Sequence, residues 1–291
     1  MGAATHMICV GATKAGTSWL YNYLSRHPEC SLRTIKELHY FDTVDSGSYE
    51  RQIRLKRAEL ARVEAEDPGP NPQRHARRCR DLRAWLAVIE RRREDVPAYL
   101  AYLDDRRGKR RVVGDVTPAY SLLPEAGLRR IATMAGDVRI VYLLRDPVSR
   151  LWSHVRMLAR RQARDPADFA RTARVLMERA LAGEEESALV RGDYASALAR
   201  LDAAVAPERL LVMLQDDLLS PDGAARLTEF LGIAPREADF GRRAHEGLPL
   251  DFDPGHRARA AEMLRPQYDC VARRFGGLPE GWQRTLAAAR A

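Results

Sequence analysis

The chain has 291 residues, a formal net charge of +8 and 45% hydrophobic residues, which is enough apolar content for a large buried core. No apolar run reaches the roughly 18 residues of a membrane-spanning helix, and residues 1–7 lack the apolar core of a signal peptide, so we expect neither a membrane span nor secretion. Only four of the 48 basic residues are lysine, a bias typical of a GC-rich genome, so the charge is a weak indication of a nucleic-acid partner.

The first predicted elements are a strand over residues 7–10 and a helix over residues 17–26, joined by a short loop that contains glycine. Such a loop before a helix N-terminus binds phosphate, because free backbone N–H groups and the helix dipole point at the anion. Lys14 adds a mobile positive charge. In nucleotide kinases the lysine directly follows the last glycine, whereas Lys14 precedes Gly16. An ordinary turn between a strand and a helix is the alternative interpretation.

A second strand is predicted over residues 30–32 and leads into the polar segment Lys36-Glu37-Leu38-His39-Tyr40-Phe41-Asp42. A carboxylate such as Glu37 acts as a general base when burial or a neighbouring charge moves its pKa towards neutrality. His39 is open to three roles, as a second base, a hydrogen-bond partner of Glu37 or a substrate contact, and we favour the last two. The alternative is that these side chains are ordinary loop residues.

Helices are predicted over residues 49–65, 74–93 and 97–105, within a region from about 47 to 110 that we interpret as a helical insertion. Prolines and a glycine in residues 67–72 separate the first two helices. We expect their many arginines to face solvent. The alternative is a helical lid over an acceptor cleft that selects anionic or carbohydrate acceptors.

A strand predicted over residues 111–113 is followed by a near-continuous apolar run over residues 138–144, which is typical of a buried parallel strand. Pro147 suits the first position of the next helix, which places Arg145 at the carboxyl end of the strand and Ser153 two turns into the helix. Open α/β sheets bind ligands at that edge, and a guanidinium beside a hydroxyl suits a terminal phosphate. A strand-end arginine that pairs only locally is the alternative.

The later elements are predicted to pack around this core. They are helices over residues 165–181, 221–231 and 254–275, a helix that begins at residues 191–194, and a strand over residues 209–215. Gly232 is a suitable C-terminal cap for the helix before it. The four cysteines show no metal-ligand spacing, which indicates reduced, buried thiols and a cytoplasmic protein.

Three of these segments resemble motifs of the sulfotransferases that use 3′-phosphoadenosine 5′-phosphosulfate (PAPS). The run Lys14-Ala15-Gly16-Thr17-Ser18-Trp19 resembles their 5′-phosphosulfate loop, and Arg145 followed eight residues later by Ser153 resembles their 3′-phosphate motif. The segment of residues 36–42 is similar to the Lys-Glu-x-His-Phe-Phe-Asp signature of heparan sulfate sulfotransferases and many bacterial relatives. More weakly, residues 114–120 resemble a segment that lines the acceptor cleft.

The resemblance implies an α/β fold: a P-loop-like core with a central, mainly parallel sheet flanked by helices, in a single domain over residues 1–291 with the helical insertion. It implies in-line transfer of the sulfuryl group from PAPS to a carbohydrate, lipid or small-molecule hydroxyl, without a metal. Glu37 would be the base, Lys14 would neutralise the leaving phosphate oxygen, and His39 would orient the base or contact the substrate. The implied donor-binding residues are Lys14, Ala15, Gly16, Thr17, Ser18, Trp19, Arg145, Ser153 and Tyr194.

The sequence departs from the family pattern in one place. The family usually carries a late loop in which Lys or Arg is followed by Gly, and the nearest candidates here, Arg242, Arg243, Arg257 and Arg259, do not match that motif convincingly. Two other classes of protein stay open. A P-loop phosphotransferase would need Mg²⁺ ligands and a lysine next to the serine or threonine. A non-catalytic nucleotide or nucleic-acid binding protein would leave Glu37 and His39 without a purpose, and we expect no nucleic-acid partner.

Overall fold

The centre of the protein is a five-stranded parallel sheet with the strand order β2-β3-β1-β4-β5. The computed structural model describes residues 3–241 and 250–288. The strands are β1 (Thr5–Gly11), β2 (Cys30–Leu32), β3 (Val112–Val116), β4 (Val138–Leu144) and β5 (Leu210–Leu214). β1 and β4 are apolar and buried almost throughout, which is the pattern of parallel strands covered on both faces.

Helices surround the sheet. They are α1 (Thr17–Ser25), α2 (Tyr40–Ser46), α3 (Tyr49–Ala65), α4 (Pro72–Ile89), α5 (Val96–Asp104), α6 (Glu125–Thr133), α7 (Pro147–Gln162), α8 (Pro166–Leu181), α9 (Glu186–Leu189), α10 (Tyr194–Ala204), α11 (Gln215–Leu218), α12 (Pro221–Leu231), α13 (Pro254–Met263), α14 (Arg265–Phe275) and α15 (Glu280–Ala287). Short 3₁₀ turns cover Pro118–Leu122, Val190–Gly192 and Pro207–Arg209.

Many of these helices begin in the same way: a polar side chain accepts a backbone N–H from the first turn, and a proline fills the first or second helical position. The capping residues are Asn71, Asp95, Asp146, Asp165, Ser220 and Asp253. The cap satisfies a donor that has no partner within the helix, and proline has no N–H to leave unsatisfied. The helix starts are therefore encoded locally in the sequence.

The helices α3, α4 and α5 lie between β2 and β3 in the chain, where the sequence predicts a helical insertion. α4 and α5 pack with α2 through a cluster of aromatic rings around Trp85, which is fully buried. The Trp85 ring lies 5.0 Å from the Tyr102 ring and 6.2 Å from both the Tyr40 and Tyr99 rings, measured between centroids. Aromatic pairs at such distances add to the stabilisation from buried area.

Several predicted elements are confirmed to the residue: β2, β4, α3 and α12, the last of which ends at Gly232 in a left-handed conformation. Two predictions were wrong. The strand predicted over residues 111–113 begins at Val112 and continues to Val116, because it pairs with β1 as far as Cys9. The helix predicted over residues 254–275 is two helices, because Pro266 lies in the first turn of α14 and cannot donate a backbone hydrogen bond.

The sheet topology determines where a ligand can bind. After β1 the chain crosses towards β2 and β3, whereas after β4 it crosses to β5 on the other side. Between strands whose connections leave in opposite directions, a crevice opens at the carboxyl ends. The ends of β1 and β4 therefore place residues 11–16 and residues 145–153 at one edge. Within the described ranges, none of the helices is both long and apolar enough to cross a membrane.

Candidate active site

A cleft of about 1850 Å³ opens at this edge of the sheet. It brings together most of the residues that the sequence predicts for a site. The predicted residues that line it are Lys14, Gly16, Thr17, Ser18, Trp19, Glu37, His39, Arg145 and Ser153. Two others do not line it: Ala15 and Tyr194 are fully buried.

The loop between β1 and α1 leaves the start of the helix open. Gly16 precedes α1 with a φ of 95°, and no described side chain caps the helix there. The first N–H groups of an α-helix have no partner within the helix, so those of Thr17 and Ser18 are available to an anion in the cleft. The Ala15 N–H, in contrast, donates to the Ala12 carbonyl at 3.2 Å and is used within the loop.

Gly16 is needed for two reasons. Its positive φ is unfavourable for residues with a side chain, and a Cβ there would lie 3.3 Å from Cγ of Gln215. Next to it, the Trp19 ring is stacked with two others, with its centroid 5.1 Å from that of Tyr23 and 5.9 Å from that of Phe240. Phe240 also lines the cleft and is an aromatic wall that sequence analysis missed.

Lys14 has cations rather than carboxylates as its charged neighbours. No ion pair to its ammonium forms among residues 3–241 and 250–288. Burial lowers the pKa of Lys14, and the positive charges of Arg145, Arg156 and Lys36 lower it further. Like charges brought this close repel each other, so this part of the cleft is suited to bind a polyanion.

Arg145 is held in place from its backbone. The Tyr194 hydroxyl accepts from the Arg145 N–H at 3.2 Å and donates to the Arg145 carbonyl at 2.7 Å. From the side chain, Nη1 of Arg145 donates to the Lys14 carbonyl at 3.2 Å, which ties the two loops together. The next residue, Asp146, caps α7 by accepting the Ser149 N–H at 2.7 Å. Tyr194 is thus linked to the site through Arg145.

Glu37 and His39 belong to a row of four side chains whose charges alternate in sign, in the order Lys36, Glu37, His39, Asp42. Glu37 Oε1 accepts from Lys36 Nζ at 2.6 Å, and Glu37 Oε2 lies 3.7 Å from His39 Nε2, within ion-pair range. On the other side of the ring, Nδ1 of His39 lies 2.7 Å from Oδ2 of Asp42. Glu37 and His39 both have a positive φ, at 66° and 56°, which is uncommon for residues other than glycine.

This row of charges fixes the protonation states. Burial favours the neutral form of Glu37, but the His39 imidazole and the Lys36 ammonium outweigh it and lower the pKa of Glu37 to about 2. Burial also disfavours the His39 imidazolium, yet Asp42 and Glu37 raise the pKa of His39 to about 9. At pH 7 Glu37 is a carboxylate and His39 is a cation. Because a cationic imidazole has no free lone pair, only Glu37 of the two can accept a proton.

A buried carboxylate is connected by hydrogen bonds to the segment that carries Glu37 and His39. Asp115, in β3, accepts hydrogen bonds from the hydroxyls of Thr117, Tyr120 and Tyr99 at 2.7, 2.8 and 3.0 Å. The Tyr120 hydroxyl in turn accepts the Tyr40 N–H at 2.9 Å, directly after His39. Burial raises the pKa of Asp115. Sequence analysis missed Asp115, although an acidic residue in an apolar strand is a signal that could have found it.

A buried arginine, Arg150, lies behind His154, which lines the cleft. Arg150 is 1% exposed, and its Nη2 donates to the Ala188 carbonyl at 2.8 Å. Its Nη1 lies 3.3 Å from Nδ1 of His154, and burial together with the Arg150 charge lowers the pKa of His154 to about 3. A Cβ on Gly192 would lie 2.4 Å from Nη2 of Arg150. Among the described residues no carboxylate pairs with Arg150.

Of the four late arginines, the two that the structure describes do not line the cleft. Arg242 and Arg243 lie outside the described residues. Arg257 lies over the Phe252 ring at 5.4 Å, and Arg259 pairs with Glu178 at 2.9 Å, both away from the residues that line the cleft. Within the described ranges, no group of three or more His, Cys, Asp or Glu side chains is placed to hold a metal ion.

Comparisons with known proteins agree with this geometry. A protein-family model described as "Sulfotransferase family" matches residues 7–237. A sulfotransferase structure from Alicyclobacillus acidocaldarius is 21% identical, with a TM-score of 0.62, over 97% of this chain and 100% of that one. The sulfotransferase domain of the Synechococcus PCC 7002 olefin synthase is 18% identical, with a TM-score of 0.50, over 82% and 78%.

A third structure, the sulfotransferase domain of the curacin biosynthetic pathway, is also 18% identical with a TM-score of 0.50, over 82% of this chain and 80% of that one. The comparison with curated proteins gives no match. At these identities the solved structures establish the fold, a parallel sheet flanked by helices around a P-loop-like core.

Proposed function

The chain belongs to the sulfotransferase family, and on that premise we propose that it transfers the sulfuryl group of PAPS to an acceptor hydroxyl. The observation that carries the proposal is the position of Lys14. Its ammonium lies in the cleft beside Arg145 and the open start of α1, with cations as its charged neighbours. A donor with phosphate groups at both its 3′ and 5′ positions supplies the negative charge that this arrangement lacks.

The donor would be bound at two points. The N–H groups of Thr17 and Ser18 would hold the 5′-phosphate, and Arg145 with Ser153 would hold the 3′-phosphate. Arg145 suits that role because its guanidinium binds two oxygens at once and stays charged at all relevant pH values. Trp19 and Phe240 offer aromatic faces at the same side of the cleft for the adenine.

Transfer would proceed in line. As the acceptor oxygen forms its bond to sulfur, the bond between sulfur and the 5′-phosphate oxygen breaks, and Glu37 accepts the acceptor proton. Lys14 neutralises the charge that develops on the leaving oxygen; removing such a preorganised group typically costs about 10²–10³ in rate. His39 orients Glu37, because it is already protonated and is fixed by Asp42 at 2.7 Å.

The low pKa of Glu37 makes it a weak base while Lys36 holds it. Lys36 lies close enough to Lys14 for its charge to act there. An anionic donor bound at Lys14 would attract the Lys36 ammonium as well. We therefore propose that donor binding weakens the ion pair of Lys36 with Glu37 and raises the basicity of Glu37 when the acceptor is in place.

The acceptor class is proposed more broadly, as a carbohydrate, lipid or small-molecule alcohol. The similarity of residues 36–42 to the heparan sulfate branch supports a carboxylate base and favours a carbohydrate or another aliphatic hydroxyl. All four cysteines are free thiols, which is typical of a reducing compartment, and we place the reaction in the cytoplasm.

Calorimetry tests the donor assignment before any acceptor is known. The protein should bind 3′-phosphoadenosine 5′-phosphate (PAP) at least tenfold more tightly than AMP, and it should not prefer ATP with Mg²⁺. Transfer of label from ³⁵S-PAPS to hydroxyl compounds then tests the activity. Equal affinity for PAP and AMP, or a preference for ATP with Mg²⁺, would contradict the proposal.

A further inference from the structure

The carboxylates that line the cleft are already used within the protein. Glu37 pairs with Lys36, Asp42 with His39, and Asp45 with Arg130 at 3.4 Å. Two further acids accept hydrogen bonds at 2.7 Å: Asp146 from the Tyr268 hydroxyl and Asp216 from the Trp282 indole. Each of these carboxylates is therefore engaged by a partner other than the arginines that line the cleft.

Several arginines of the cleft have no carboxylate partner among the described residues, namely Arg51, Arg160, Arg161 and Arg191. Elsewhere on the helical insertion, several arginines pair with acids. Examples are the pairs Arg57 with Glu90, Arg62 with Glu66, Arg83 with Glu64 and Arg92 with Glu50. In the part of the chain that the structure describes, the four cleft arginines lack such a pair although they share a cavity with five carboxylates.

Three of these arginines surround the acceptor side of the cleft. Arg191 is half-buried, and its Nη1 donates to the Ser187 carbonyl at 2.8 Å. Burial lowers the pKa of Arg191, and the charges that act on its guanidinium are those of Asp42 and Glu37 on one hand and of Arg161 and Arg51 on the other. The cluster of Arg51, Arg161 and Arg191 therefore stands next to the proposed base, and the charge of Arg161 also reaches Lys14 on the donor side.

We propose that the cluster of Arg51, Arg161 and Arg191 binds an anionic group of the acceptor, so that the acceptor carries a carboxylate, sulfate or phosphate close to its reacting hydroxyl. The inference rests on the proposed function, because it assigns the donor phosphates to Lys14, Arg145 and the start of α1 and leaves this cluster to the acceptor. Arginine is suited to all three anions, since its planar fork donates two parallel hydrogen bonds to two oxygens.

The first test uses inorganic phosphate as the probe. The donor site is filled with PAP, and phosphate is titrated into the PAP-bound protein by calorimetry. We expect one further phosphate site, weakened at least tenfold in the double variant Arg51→Gln/Arg191→Gln, while the affinity for PAP changes less than twofold. Arg54→Gln is the matched control, because Arg54 is exposed on the same helix but does not line the cleft.

The second test uses acceptors that carry both a hydroxyl and a carboxylate, such as glucuronate, 3-hydroxybutyrate and 4-hydroxybenzoate. Each acid is compared with its methyl ester as an acceptor of label from ³⁵S-PAPS. The acid should be sulfated at least tenfold faster than its ester, and the double variant should lose the preference. Further acceptors that carry a sulfate or a phosphate in place of the carboxylate show which of the three anions the cluster prefers.

Three outcomes would overturn the inference while PAP binding is intact: no additional phosphate site, phosphate binding that survives in the double variant, or no preference for acids over esters. If the wild-type protein fails to bind PAP, the proposed function is contradicted, and the acceptor inference falls with it. Measuring PAP affinity in the same samples distinguishes the two failures.

Discussion

The hydroxyl of Tyr194 satisfies both backbone groups of Arg145, accepting from the N–H at 3.2 Å and donating to the carbonyl at 2.7 Å. Tyr194 itself is fully buried at the start of α10, so one helix fixes the residue that follows β4. Because a buried polar group without a partner is unfavourable, the pair constrains where the Arg145 guanidinium can lie.

Tyr194→Phe should therefore weaken donor binding although Tyr194 does not line the cleft. Leaving buried backbone groups without a partner costs about 1–3 kcal/mol, and we expect a lower Tm together with a PAP affinity reduced several-fold. Thermal unfolding and calorimetry measure the two effects. A lower Tm with unchanged PAP affinity would mean that Tyr194 stabilises the fold without positioning Arg145.

Arg145→Ala should remove most of the preference for PAP over AMP. Hydrogen bonds to charged groups contribute roughly 1.5–3 kcal/mol each, so the wild-type preference should be tenfold or more and the variant's close to one. AMP affinity is the internal control, because AMP lacks the 3′-phosphate. If the variant retains the preference, the 3′-phosphate binds elsewhere.

Lys14→Ala should lower the rate of transfer from PAPS by about 10²–10³ and also weaken donor binding, because the ammonium contacts the phosphosulfate before the reaction. Lys14→Arg should recover only part of the rate, since a planar guanidinium does not replace a compact charge at one bridging oxygen. Single-turnover transfer and PAP calorimetry separate the two effects. Full recovery by arginine would contradict a bridging-oxygen contact.

Glu37→Gln should lower turnover by about 10²–10⁴-fold while donor binding survives, because the amide keeps the shape of the side chain but accepts no proton. His39→Gln should have a smaller effect, since His39 is already protonated at pH 7 and acts through Glu37. Single-turnover transfer of label checks both variants. Near wild-type rates for Glu37→Gln, with an inactive His39→Gln, would mean that the base is misassigned.

The raised pKa of His39 predicts a pH dependence of stability. The folded-state pKa is about 9 and the ordinary value is 6.5, so the contribution of the imidazolium is complete below pH 6.5 and is lost as the pH rises through 9. One pKa unit corresponds to about 1.4 kcal/mol, so a shift from 6.5 to about 9 should be worth on the order of 3 kcal/mol.

Denaturant unfolding of the wild type and of His39→Gln between pH 6 and pH 10 measures this contribution as the difference between the two curves. The difference should shrink with rising pH, and Asp42→Asn should move the change to lower pH because it removes a partner that raises the pKa. A difference that does not vary with pH would mean that the pKa of His39 is the same in the folded and unfolded protein.

The central strands and many helix starts could be predicted from the sequence because each is encoded locally. The apolar run of β4 and the Asp146-Pro147 cap of α7 need no tertiary information. In β3, in contrast, the hydroxyls that satisfy Asp115 come from α5 and from the turn after the strand, so only the folded state shows why an acid is tolerated there.

The residues of the site were predictable, but their electrostatics were not. The motifs place Lys14, Glu37 and Arg145 at the ends of strands, and these side chains do line one cleft. The contacts around Glu37 depend on a positive φ at Glu37 and at His39, which a sequence does not show for residues other than glycine. The unpaired state of the cleft arginines likewise depends on which acids the fold brings near them.

The contact of Arg150 with Gly192 links two distant positions of the chain. Any side chain at position 192 collides with the guanidinium, whose Nη2 would lie 2.4 Å from an added Cβ. A shorter residue at position 150 would leave a void that a larger residue at 192 could fill. We expect the two positions to covary among relatives, arginine with glycine, or a small apolar residue with a bulkier one. Libraries that diversify the neighbouring Arg191 should therefore keep the Arg150–Gly192 pair intact or exchange both at once.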